Sequence, residues 1–170
     1  MEKNGSPNAG LLDQRAMLQF VRDHISSIGG NPRQVSVWGE SAGASSIMHH
    51  LVMPQNIQDP LFNRAVLMSP AYQWLWDRKG DMNETFSQFL RNVSVKANCT
   101  TTDMTCLQSA NSSVLQKVNG QIFQKQACDG VMPLGPSVDG KNVPTLAPNG
   151  FTRGQGELWI VPGARIKADK

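Results

Sequence analysis

Apolar residues recur at Leu11, Leu12, Met17, Leu18, Val21, Ile25 and Ile28, with polar residues between them. That spacing predicts a helix starting near Asp13 and stopping at the Gly29–Gly30 pair. The pattern then shortens. Residues 34–38, "QVSVW", are β-branched and bounded by "GGNPR" and a glycine, which predicts a buried strand. "AGASSIMHHLVM" has no breaker before Pro54 and predicts a second helix, and the apolar run "NRAVLMS" (63–69), closed by Pro70, predicts a second strand. Helix, strand, tight turn, helix, strand is the order of a βαβ unit, hence of an α/β fold with a parallel sheet.

Beyond Ala71 the character changes. An aromatic-lined stretch, "YQWLWD", precedes an amphipathic helix expected over roughly 83–95, and 106–118 reads as another. From 127 onward "CDGVMPLGPSVDGKNVPTLAPNG" is rich in Pro and Gly and reads as extended loop, and the last twenty residues carry no assignable period.

Inside this frame lies the chain's strongest chemical signal, "VSVWGESAGAS" (35–45). Gly-x-Ser-x-Gly between a strand and a helix places a serine on a turn sharp enough to project its hydroxyl from the sheet. Gly39 and Gly43 are expected to flank Ser41 because so tight a turn leaves no room for a Cβ, with Glu40 and Ala42 filling the positions between. The helix that follows directs its N-terminus at Ser41, so the Ala42 amide can donate to the oxyanion of a tetrahedral intermediate. The competing reading is a glycine-rich βα turn with an incidental serine. The strand before and the breaker-free helix after favour a nucleophile elbow.

Composition changes this picture in one respect. At 170 residues the chain is long enough to bury a sizeable core, and its 16 Lys+Arg against 13 Asp+Glu form too small and scattered an excess to argue for nucleic acid. No apolar run spans a membrane, and the polar N-terminus has no signal-peptide pattern. Yet Asn-x-Ser/Thr acceptor patterns occur at Asn4, Asn83, Asn92, Asn98 and Asn111, four of them within residues 83–113, which points to a secreted, extracellular ancestry. Cys99 and Cys106, in "NCTTTDMTC", form either a small disulfide loop or two free thiols. No Cys-x-x-Cys or nearby His marks a metal site, and the elbow chemistry calls for no cofactor.

"NAGLLDQRAMLQFVRDHISSIGGNPRQVSVWGESAGASSIMHHL" resembles the segment around the active serine of type-B carboxylesterases and lipases, relatives of the cholinesterases with an α/β-hydrolase fold. The family pattern runs Gly-Leu-x-Asp-Gln, Gly-Gly-Asp-Pro, a strand, then Gly-Glu-Ser-Ala-Gly. Here it is met by Gly10, Leu11, Asp13 and Gln14, with Asn31 where the family has aspartate. The likeness continues through "LFNRAVLMSPAYQW" and "PSVDGKNVP" and covers about residues 5–148, leaving 149–170 as a divergent tail. The Cys99–Cys106 loop falls where the family carries a short disulfide.

The resemblance implies carboxylic-ester hydrolysis through an acyl-enzyme on Ser41, acting on a small-molecule or lipid ester. It also implies a base and an acid, in the order Ser, acid, His. Three histidines are present. His24 precedes Ser41 and is expected to face solvent or a neighbouring strand. His49 and His50 follow on the serine's own helix, His50 roughly 13 Å along the axis, too far for a general base. His50 matches a structural histidine of the family, and His49 is expected to be exposed. Glu157 sits near the acid's place without its neighbours, Asp139 has a family role outside the triad, and Cys128 has no family partner. Tyr72, Trp74 and Trp76 either line an acyl pocket or pack as core or lid. The chain therefore reads as the middle of an esterase, a truncated product lacking the His-Gly-Gly-Gly loop, the triad acid and histidine, and the first and last strands. The alternative is a catalytically inactive esterase-like binding or adhesion module.

Overall fold

The computed structural model describes residues 5–71, 80–127 and 135–145, together with the strands at 158–160 and 164–166. Two compact units are present, each with its own apolar core.

The unit that carries Ser41 begins with helix α1 (Ala9–His24). It starts ahead of Asp13 because the Asn8 carbonyl already accepts the amides of Leu11 (3.0 Å) and Leu12 (3.2 Å). The helix tightens into a 3₁₀ turn (Ile25–Ile28) and is stopped by Gly29, whose φ of 85° a side chain would disfavour. Strand β1 (Ser36–Glu40), helix α2 (Ala42–Val52), a short helix α3 (Pro54–Gln58) and strand β2 (Arg64–Met68) follow. Pro54 does break α2, as its position predicts, but it also opens α3, where a missing N–H costs nothing. β1 and β2 pair in parallel, Ser36 opposite Arg64 through Glu40 opposite Met68. The last stretch, which carries no sequence period, contributes β3 (Leu158–Ile160), parallel to β2, and β4 (Ala164–Ile166), antiparallel to β3. At three residues each, these strands are too short for periodicity to reveal.

One face of the sheet packs on α2: Ala44, Ile47, Met48 and Val52 meet Leu67, with Val37, Leu51, Phe62 and Ala65 around them. The 3–4 spacing of those α2 residues is the stripe that fixes the helix on the sheet. β1 is not the buried strand its composition predicts. Its burial alternates, and Trp38, on the face away from α2, is 70% exposed. β1 lies at one end of the described strand order, β1-β2-β3-β4, so β-branched composition alone does not bury it.

The second unit holds α4 (Asp81–Lys96), α5 (Met104–Ser109) and α6 (Ser112–Ala127). Val93, Cys106, Val118 and Ile122 form its core. The single helix expected over 106–118 is two, because Ala110 turns to extended backbone (ψ 142°) between them. Cys99 and Cys106 are joined in a disulfide with Cα atoms 5.8 Å apart, which settles the choice left open by the sequence. Residues 135–145 form no helix or strand, as their composition predicts. Among the described residues, no helix is long and apolar enough to cross a membrane.

Candidate active site

Ser41 sits between the end of β1 and the first turn of α2 with φ 52° and ψ −116°, a conformation few non-glycine residues adopt. Three backbone hydrogen bonds hold it there. Its N–H donates to the Met68 carbonyl (3.0 Å), and its carbonyl accepts the amides of Ser45 (3.1 Å) and Ala71 (3.1 Å). The serine is thus bound both to its own helix and to the exit of β2.

The close approach behind this turn belongs to Gly39. A Cβ on it would lie 2.5 Å from the Gly43 carbonyl carbon, 2.6 Å from the Gly43 oxygen and 2.7 Å from the Ala44 nitrogen. All three are backbone atoms that cannot swing aside. Gly43 is different from the sequence expectation: among the described residues, a Cβ there meets nothing within 4 Å. Gly43 contributes the backbone against which Gly39 packs, not a second point of crowding. Glu40 ends β1, exposed, and Ala42 opens α2, also exposed. As the first helical residue, Ala42 has no acceptor one turn back for its amide.

Ser45, which the motif does not include, completes the turn. Buried at the second turn of α2, its hydroxyl donates to the Ala71 carbonyl (2.5 Å) and lies 3.3 Å from the Ser41 carbonyl. A Ser four residues after Ser41, with its hydroxyl in reach of the i−4 carbonyl, is the signal that could have found it.

His24 is exposed on α1 and stacks at 4.5 Å, tilted, on Phe20. His50 is 3% exposed. Its Nε2–H donates to Gln14 Oε1 (2.9 Å) and its Nδ1 accepts from Asn56 Nδ2 (3.0 Å), which fixes the neutral ring. Asn56 also donates to the His50 carbonyl and accepts from Arg15, which in turn lies 3.6 Å from Asp59. Gln14, part of the resembling block, therefore ties α1 to α2 through His50, a structural role as expected. His49 corrects its expectation: it is 4% exposed, because β1, β2, α1 and α3 together enclose most of α2's circumference. Burial pushes both rings down to about 4, His50 further opposed by His49 and Arg15.

Asp139 is engaged elsewhere. Its Oδ1 accepts the amides of Lys141, Asn142 and Val143 at 2.8–2.9 Å, and its Oδ2 accepts from Asn8 (3.0 Å). Burial pushes its carboxyl up, but these donors outweigh burial and hold it below the ordinary value. Tyr72, Trp74, Trp76, Glu157, Cys128 and Asn4 lie outside the described residues. Among the described residues, no three His, Cys, Asp or Glu side chains gather as they would around a metal ion.

The sequence and the fold have counterparts among known proteins. The carboxylesterase family model matches residues 1–158, and the chain belongs to that family. It is 42% identical over 141 residues to a secreted lipase of Arthroderma benhamiae, covering 83% of this chain and 25% of that protein. It is 34% identical over 153 residues to lipase 1 of Geotrichum candidum, covering 84% and 27%. A solved pNB esterase superposes with a TM-score of 0.77 at 29% identity, over 91% of this chain and 32% of that one. The elements described here are accordingly part of an α/β-hydrolase fold. The chain spans about a quarter to a third of the length of these relatives.

Proposed function

We propose that this chain carries the nucleophile of a carboxylic-ester hydrolase. The observation that supports it most is the backbone of Ser41, held at φ 52° and ψ −116° with Gly39 pressed on the following helix. In this reading the Ser41 hydroxyl attacks the ester carbonyl while the Ala42 amide donates to the developing oxyanion. The alcohol leaves, and water clears the acyl-enzyme. Small-molecule or lipid esters are the substrate class, in keeping with the lipases among the relatives.

The base and the acid come from polypeptide outside these 170 residues. His50 is neutral, buried and occupied on both nitrogens, and His49 is buried, which supports a base other than these two rings. Export from the cell belongs to the same proposal, supported by the disulfide and by the secreted relative.

The test is a chimera in which the matched segment replaces its counterpart in the Arthroderma benhamiae lipase, which then supplies the remaining residues of the site. p-Nitrophenyl ester hydrolysis is expected, and Ser41→Ala should lower it by at least ~10³-fold. A folded chimera whose hydrolysis is unchanged by Ser41→Ala would exclude Ser41 as nucleophile. A folded but inert chimera would favour the binding-module reading.

A further inference from the structure

Four N-glycan acceptor patterns fall among the described residues of the helical unit, and the fold treats them unequally. Asn83 and Asn92 lie within α4. Asn92 is half-buried, and the hydroxyl of its pattern, Ser94, is 6% exposed and lies within hydrogen-bond reach of the Thr101 carbonyl (3.3 Å) and Cys106 Sγ (3.4 Å). Asn83 is exposed, but the hydroxyl of its pattern, Thr85, is 7% exposed in the helix. Asn111 lies between α5 and α6, where its carboxamide oxygen accepts both the amide (2.9 Å) and the hydroxyl (2.8 Å) of Ser113. That pattern is folded on itself as a helix cap.

Of these four, Asn98 is the one whose asparagine and paired hydroxyl are both exposed and not hydrogen-bonded to each other. It follows the α4 terminus in the left-handed region, φ 53°, with its backbone N–H turned in toward the Val95 carbonyl (3.3 Å). Asn98 and Thr100 are both exposed, in the loop before α5 that the Cys99–Cys106 disulfide closes. An acceptor asparagine must present its nitrogen and its paired hydroxyl together on a surface loop.

We propose that Asn98 is the principal N-glycan acceptor among these four. The donor is a lipid-diphosphate-linked oligosaccharide of the secretory pathway. Asn98 Nδ2 attacks the anomeric carbon, a C–N bond forms, and the C–O bond to the diphosphate breaks. The lipid diphosphate departs with that electron pair, and Nδ2 gives up one proton. Because the oxidised disulfide and the glycan belong to one compartment, the two modifications occur side by side. The proposal rests on the export proposed above and not on the catalytic role of Ser41, since no residue of the Ser41 turn enters it.

The experiment is secretion of the full chain behind a leader peptide from a glycosylating eukaryotic host. Enzymatic glycan release in heavy-oxygen water, followed by peptide mass spectrometry, reads occupancy at each asparagine. Asn98 is expected to be the most occupied of the four. Asn98→Gln and, separately, Thr100→Ala should each remove one glycan-sized step on a gel. Thr100→Ala leaves Asn98 in place and alters only an exposed side chain, so it reads acceptor loss even if Asn98→Gln impairs folding. Higher occupancy at Asn83, Asn92 or Asn111, or a secreted chain bare at Asn98, would overturn the proposal.

Discussion

Ser41 and Gly39 act as a pair at the smallest scale. One takes a backbone conformation costing roughly 1–3 kcal/mol, and the other removes the Cβ that would prevent the turn from closing. Gly43 sits symmetrically in the sequence and asymmetrically in space. Gly39→Ala should therefore destabilise the Ser41 unit by several kcal/mol, about the scale of severe core overpacking. Gly43→Ala should change stability by less than ~1 kcal/mol, with helix propensity acting in its favour. Urea unfolding of the two variants checks this, and equal losses would show that the crowding is shared. The glycine spacing is readable in sequence as a turn. Which glycine is sterically required is not, because that depends on where the backbone of α2 returns. Ser45 escaped the motif for a related reason: its partner, Ala71, is 26 residues away and is brought near only by the parallel pairing of β1 and β2.

At the scale of elements, α2 carries most of the information. Its apolar stripe and the two flanking strands were legible, because each is short, periodic and bounded by Gly or Pro. The burial of His49 was not, since a helix enclosed on several sides shows no polar face to read. Nor was the exposure of Trp38, since β-branched composition does not say whether both faces of a sheet are covered. The histidine pair gives the helix a pH dependence. Both rings ordinarily titrate near 6.5 and are held to about 4 in the fold, so between those values the unfolded chain binds more protons. Stability from this pair is full above about pH 6.5 and is lost as the pH falls toward 4. Near pH 5, unfolding should take up roughly two protons from these rings. Denaturation midpoints across pH 4–8 should show that slope, and His49→Gln with His50→Gln should flatten it. A slope unchanged by the double substitution would mean that the rings titrate normally in the folded chain.

At the scale of the whole molecule, family and fold follow from the sequence in order, while the relay of the active site does not appear among the described residues. The Ser41 turn is complete in its own backbone: it is closed by Met68, Ala71 and Ser45, all within residues 41–71. In the proposed function, Ser41 is therefore held in place by this turn while its base is supplied from elsewhere. Fluorophosphonate labelling tests this most directly, applied in parallel to the 170-residue chain and to the lipase chimera. The account predicts rapid labelling at Ser41 in the chimera, none in its Ser41→Ala variant, and only background reaction in the chain alone. Rapid Ser41 labelling of the chain alone would contradict it, because a working base would then have to lie within these residues.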